Sequence, residues 1–217
     1  NTLIMSNKIT FPYKLFVEGV NDLHVITSLC AHHKVTENFN IEACGSDESV
    51  TRRFKIALTN PAVYQRIGIV VDADIDIKGR WMQLIDILIK SGKYNCEKLE
   101  LSADGLIIHP LERCDAVVGI WIMPNNNLEG MLEDFALKLV SPENALMQKA
   151  ESVLIELEAG GIQQYKEVHR SKAKVHTFLA WQDEPGRPMG QAIAAHVLNP
   201  DAEQAKVFIN WLNKLYN

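Results

Sequence analysis

An uninterrupted apolar run, IGIVV at 67–71, leads directly into the acidic run DADID at 72–76. The apolar run lacks the alternation of a half-buried strand, so it predicts a strand covered on both faces, as in a parallel sheet. In open sheets of this kind, ligands bind beyond the carboxyl ends of the strands. The chain is therefore expected to present carboxylates at a ligand-binding edge.

Strand and helix patterns alternate over the first two-thirds of the chain. Further strands are predicted at 13–17, 39–44, 106–109 and 117–123. Helices are predicted at 22–33, 47–58 and 80–90. This order indicates a three-layer, Rossmann-like α/β core with a mainly parallel sheet over residues 11–140. Residues 141–217 show helical patterns without a convincing strand, and predict a helical C-terminal extension packed on the core as a single globular unit.

Composition limits the classes of partner. The formal net charge of −5 and the pI of about 5.8 give no basic surplus of the kind that a freestanding nucleic-acid binder usually carries. No apolar run approaches the roughly 20 residues of a membrane span, and the N-terminus has no signal-peptide pattern, so the cytoplasm is the expected compartment. The seven histidines show no metal-ligand spacing such as HExxH, and His32-His33 is expected at a helix end.

Carboxylates follow two of the predicted strands. Glu18 ends the first strand, and Asp72, Asp74 and Asp76 follow the strongest one. Two such charges about 4 Å apart repel by roughly 4 kcal/mol at an effective dielectric of 20. Mg²⁺ relieves this repulsion well because it prefers carboxylate and water oxygens and leaves positions open for substrate phosphates. Each Asp taken alone is equally compatible with a turn former or a helix cap.

A later acidic segment, GMLEDF at 130–135, adds candidates. Leu128, Leu132, Phe135 and Leu139 keep a helical period, which predicts a helix that begins at Leu128. Glu129 and Glu133 would then lie one turn apart on the same face of that helix. Both an active-site role and an ordinary solvated helix edge remain open for them.

The segments FVEGVND at 16–22 and IVVDADID at 69–76 together resemble the paired signature of Toprim domains. The resemblance implies that Glu18 acts as general acid or base, or as a metal ligand, and that Asp72 and Asp74 hold Mg²⁺ or Mn²⁺. Gly19 would let the backbone approach a phosphate closely. Asp22 would either add a metal ligand or only favour the N-terminus of its helix.

The chain is also similar to OLD-type Toprim nucleases, which place an acidic helix after the core strands and a lysine further on. That pattern maps onto Glu133 and onto Lys172 or Lys174. With the segments WIMPNNNLEGMLEDF, SKAKVHTFLAWQ and PGRPMGQAI, the whole chain resembles DUF3226, a standalone Toprim-like family of unknown function. A Walker A sequence is missing, so any ATPase would be a separate subunit.

These features predict Mg²⁺-dependent phosphodiester chemistry on DNA or RNA, as a nuclease or nickase. The catalytic residues would be Glu18 and Lys172, and the metal ligands are predicted to be Asp72, Asp74, Asp22 and Glu133, with Asp76, Glu129 and Lys174 as possible additions. The alternative is a Toprim-derived subunit that binds nucleic acid or a partner without catalysis. A minor alternative is a HAD-like phosphatase, although Asp76 stands where that motif has Thr or Val. The oligomeric state is left open.

Overall fold

The computed structural model of the chain describes residues 12–59 and 63–217. The expected lack of a signal peptide concerns the N-terminus before residue 12 and lies outside these ranges. The strands are β1 (Tyr13–Val17), β2 (Asn40–Ala43), β3 (Arg66–Asp72), β4 (Leu106–Ile108) and β5 (Val117–Met123). The helices are α1 (Val20–His32), α2 (Asp47–Thr59), α3 (Ile77–Ser91), α4 (Leu132–Leu137), α5 (Ala145–Ala159), α6 (Arg170–Ala180), α7 (Met189–Ala194) and α8 (Glu203–Tyr216).

The strands form one sheet in the order β2-β1-β3-β5-β4. All neighbours pair in parallel except β4 and β5, which are antiparallel. The apolar run at 67–71 lies in the central strand β3, whose residues from Ile67 to Val71 are buried. The sequence therefore predicted the central strand because a strand covered on both faces has no polar alternation.

Helices cover both faces of the sheet, which gives the three-layer, Rossmann-like α/β fold that the sequence predicts. On one face α2 and α3 pack against side chains such as Phe16, Ile69 and Val71. On the other face α1 and the helices from α4 to α8 pack against Leu15, Val70 and others. Residues after 141 in the described part form helices without a strand, as expected.

The C-terminal helix α8 crosses the sheet over a pair of glycines. Gly68 of β3 and Gly119 of β5 are register partners. A Cβ atom built on Gly119 would lie 2.5 Å from Leu215 Cδ2, and one on Gly68 would lie 2.6 Å from Tyr216 Oη. The absence of side chains at these two positions lets α8 approach the sheet closely. At the end of α8 the Tyr216 hydroxyl also donates a hydrogen bond of 2.8 Å to the Lys14 carbonyl.

The sequence pattern predicted a helix that begins at Leu128, and this start is wrong. The helix α4 begins at Leu132, and residues 124–131 form an irregular loop that turns back to β3. Gly130 has a φ of 135°, and its backbone exchanges two hydrogen bonds with Asp74, of 2.7 and 2.8 Å. A backbone that pairs with another strand end cannot also form the first turn of a helix.

No helix within the described part of the chain is both long enough and apolar enough to cross a bilayer.

Candidate functional site

The carboxyl ends of β1 and β3 bring Glu18 and Asp72 together. The two strands are parallel neighbours, with Val17 opposite Val70, so both acids emerge at the same edge of the sheet. The backbone N–H of Asp72 donates to Glu18 Oε1 at 2.9 Å. This bond holds the Glu18 carboxylate across the end of the neighbouring strand.

A cavity of about 410 Å³ opens at this edge. Most of the predicted site residues line it: Glu18, Gly19, Asp22, Asp72, Asp74, Glu133 and Lys172. They come from the ends of β1 and β3 and from the helices α1, α4 and α6. Residues more than a hundred positions apart in sequence thus meet at one place. The sequence analysis did not include His169, which also lines the cavity.

Glu133 and Lys172 line the same cavity and pair with each other. Glu133 has only 4% of its surface exposed, and its Oε1 lies 3.1 Å from Lys172 Nζ. The backbone N–H of Leu132, at the start of α4, donates to Asp72 Oδ1 at 3.0 Å. That hydrogen bond connects α4 to the end of β3, so it sets the position of Glu133 relative to Asp72.

Asp22 accepts a hydrogen bond at the N-terminus of α1 and also lines the cavity. Its Oδ2 accepts a hydrogen bond of 3.0 Å from the Gly19 N–H, which satisfies a free donor at the start of α1. Asp22 is nevertheless 6% exposed and lines the cavity beside Glu18. The helix-terminus role is therefore present, and the ligand role stays a prediction.

Arg80 of α3 contacts the end of β3, and it was not among the site residues predicted from the sequence. Its Nε donates to the Asp72 carbonyl at 2.9 Å, and its Nη2 lies 3.3 Å from Asp74 Oδ2. It also pairs with Asp47 at the start of α2. Arg80 thus neutralises part of the charge on Asp74, whose side chain is 47% exposed. Its position one turn into the helix after the acidic run was the only signal available.

Burial and mutual repulsion raise the pKa values of three of the acids. Burial, with a smaller contribution from the charges of Asp22, Glu18, Glu133 and Asp74, raises the pKa of Asp72 to about 9. Burial likewise raises the pKa of Glu18 to about 7 and that of Asp22 to about 6. Without a counter-cation, these groups hold protons at a pH at which ordinary carboxylates are ionised.

The three residues predicted as possible additions to the site lie outside this cavity. Asp76 caps α3, because its Oδ1 accepts from the Gly79 N–H at 2.8 Å. Glu129 is exposed in the loop before α4 and lines a different cavity. Lys174 lines that second cavity as well and pairs with Glu151 at 2.6 Å. Placing Glu129 and Glu133 on one helical face was wrong, because only Glu133 belongs to α4.

The carboxylates around the cavity do not form a closed cage. In residues 12–59 and 63–217, no three of them bring one oxygen each within 4.8 Å of one another. This spread leaves space between the acids. It fits an ion that keeps several of its own waters better than an ion enclosed entirely by protein ligands.

The fold and this cavity define an α/β protein with an acidic site at the carboxyl edge of a mainly parallel sheet. The chain belongs to the family described as proteins of unknown function, DUF3226, whose family model matches residues 12–217. No curated protein and no solved structure matches the chain.

Proposed function

We propose that the chain cleaves phosphodiester bonds in DNA or RNA with Mg²⁺ or Mn²⁺, as a nuclease or nickase of the Toprim type. The observation that carries this proposal is the cavity at the carboxyl edge. There the ends of two strands and three helices direct five carboxylates, with Lys172, at a common space. Such a concentration of buried acids is costly unless a cation shares the space.

The residues present suit Mg²⁺. All of the candidate ligands are carboxylates, which are the protein ligands that this hard cation prefers, and their spread leaves room for waters and a substrate phosphate. Asp72 is the best placed ligand because it is central among the acids and is unpaired by any cation within the described residues. Asp74 can contribute the oxygen that does not face Arg80. When bound, the ion would polarise the phosphodiester and lower the pKa of a water.

Glu18 supports the proton-transfer step. A pKa of about 7 lets one carboxyl group take up and release a proton near neutral pH, which is what a general acid or base requires. The hydrogen bond from the Asp72 N–H fixes its orientation. Lys172 also lines the cavity, where its ammonium would stabilise negative charge that develops on a phosphate oxygen.

The backbone at Gly19 leaves an approach for the phosphate. Gly19 lines the cavity without a side chain, and a Cβ there would lie 3.2 Å from Asp22 Oδ2. The net charge of −5 means that the rest of the surface contributes little to holding nucleic acid. We therefore propose that a partner, for example a separate ATPase subunit, recruits the substrate.

The test is an activity panel with the purified chain. Supercoiled, nicked and single-stranded DNA, and RNA, are incubated with Mg²⁺ or Mn²⁺ and scored on gels. Glu18→Gln should lower cleavage by about 10²–10⁴-fold, since it removes proton transfer but keeps an oxygen for the Asp72 N–H. Asp72→Asn should weaken the response to metal by at least about tenfold.

Matched controls remove carboxylates elsewhere. Glu100→Gln and Asp104→Asn change exposed acids that do not line the cavity, and both should cleave as the wild type does. Cleavage that survives in both site variants would refute the proposed chemistry. Metal binding that depends on Asp72, with no cleavage of any substrate, would favour the non-catalytic subunit instead.

A further inference from the structure

A second cluster of metal-ligating side chains lies at the opposite end of α1 from Asp22. His32 ends α1, His33 follows it, and Asp201 lies in the turn between α7 and α8. One ligand atom from each of the three lies within 4.8 Å of those of the other two. We propose that His32, His33 and Asp201 bind one Zn²⁺-class divalent ion, which cross-links α1 to the C-terminal helices.

The separation between two of the ligand atoms already fits such an ion. His32 Nε2 lies 3.1 Å from Asp201 Oδ1. Two ligand atoms that each lie at roughly 2.0–2.1 Å from a tetrahedral zinc ion are about 3.3 Å apart. Binding therefore needs only a small widening of this pair and loss of the proton between them.

A hydrogen bond to the backbone prepares His33 as a ligand. Its Nε2 lies 2.8 Å from the Pro200 carbonyl oxygen, and a carbonyl can only accept, so Nε2 carries the hydrogen. In the neutral ring the lone pair is then on Nδ1. Zinc-binding histidines commonly donate their second ring N–H in this way, which fixes both the tautomer and the ring orientation.

Contacts with neighbouring side chains hold the other two residues in place. The His32 ring packs edge-to-face between His33 and His196, with ring centroids 4.8 and 5.2 Å apart. Asp201 is held in place by its hydrogen bond with His32. With two imidazoles and one carboxylate, the site is suited to zinc, nickel or copper rather than to Mg²⁺. Water would complete the coordination.

The consequence is structural. His32 and Asp201 are 169 positions apart, so an ion between them would close a long loop and hold α1 against the turn that precedes α8. An ion that binds only the folded chain stabilises it in proportion to its occupancy. This site is distinct from the carboxylate cavity in its ligands and in its preferred metal, so the two can be tested separately.

The experiment uses the tag-free chain in excess Mg²⁺, which occupies oxygen sites without competing for imidazole nitrogen. Zn²⁺ affinity is measured by chelator competition, and Co²⁺ is used as a spectroscopic substitute. We expect one Zn²⁺ per chain, a raised melting temperature, and cobalt bands without thiolate charge transfer, since the four cysteines are free but not part of the cluster. His32→Gln and Asp201→Asn should each weaken Zn²⁺ binding by at least about tenfold.

His109→Gln is the matched control, because His109 is exposed and outside the cluster. This variant should bind Zn²⁺ as the wild type does, and Zn²⁺ should raise its melting temperature equally. Asp201→Asn changes an exposed side chain, so it is expected to fold normally while losing the thermal shift. The proposal would be overturned by a wild type that does not bind Zn²⁺, by cluster variants that both bind Zn²⁺ as tightly as the wild type, or by thiolate bands with Co²⁺.

Discussion

The three acids of the DADID run have different environments although they lie within five residues. Asp72 is half-buried at the end of β3, Asp74 has a left-handed backbone with φ of 52° and pairs with Arg80, and Asp76 caps α3. The sequence showed that this edge would be acidic, because strand ends are readable from apolar runs. Which acid faces the cavity depends on Arg80 and on the loop at Gly130. The contact at Gly130 has no local signal, and the position of Arg80 in the sequence does not show which acid it pairs with.

The raised pKa of Asp72 can be tested without any substrate. Its pKa is raised from 3.8 to about 9, so the folded chain holds a proton that the unfolded chain loses above about pH 4. Stability of the metal-free protein should consequently fall as the pH rises from about 4 to about 9. Asp72→Asn cannot ionise and still accepts from the Leu132 N–H. At pH 8 we expect it to be more stable than the wild type by about 1–3 kcal/mol.

The measurement is urea unfolding in EDTA over a series of pH values. The variant should show a flatter dependence on pH, and added Mg²⁺ should stabilise the wild type more than the variant. Equal stabilities at pH 8 would mean that folding does not raise the pKa of Asp72. Glu100→Gln serves as the comparison, since Glu100 is exposed.

At the level of elements, strands were predicted more reliably than the helix that completes the site. β3 and β5 were evident because their burial on both faces removes polar alternation. The start of α4 was misplaced because Leu128 continues the apolar period of the helix, yet it is exposed in the loop. Apolar spacing reports which residues can share a face. It does not report a backbone that pairs with a distant strand, as Gly130 does with Asp74.

The packing of α8 on the sheet can be tested through Gly119. A Cβ at this position would lie 2.5 Å from Leu215 Cδ2, and Leu215 is fully buried. Gly119→Ala should therefore destabilise the chain by about 1–3 kcal/mol through overpacking. Leu215→Ala alone should cost about 2–5 kcal/mol by leaving a cavity.

The double variant distinguishes overpacking from a simple loss of stability. If the two side chains compete for one space, Gly119→Ala combined with Leu215→Ala should cost less than the sum of the two single changes in urea unfolding. Strict additivity would show that Leu215 does not limit the space at Gly119. A favourable coupling would confirm that the last helix is part of the same packed unit as the sheet.

For the whole molecule, the net charge and the carboxylate cavity have opposite implications for the binding of nucleic acid. The chain has 22 Lys and Arg residues against 27 Asp and Glu residues, so its overall field repels a polyanion. Near the cavity only Lys172 and Arg80 contribute fixed positive charge among the described contacts. If nucleic acid binds there, most of the attraction must come from the divalent ion and very little from the protein surface.

The salt dependence of binding is therefore diagnostic. With the two site cations as the main phosphate contacts, the slope of log K against log salt should be no steeper than about −2, and binding should require Mg²⁺. Fluorescence anisotropy with Glu18→Gln, which keeps the metal ligands but blocks cleavage, measures this directly. Asp72→Asn in the same assay should bind more weakly at every salt concentration. A steep slope that persists in EDTA would place the binding surface outside the cavity and separate it from the proposed chemistry.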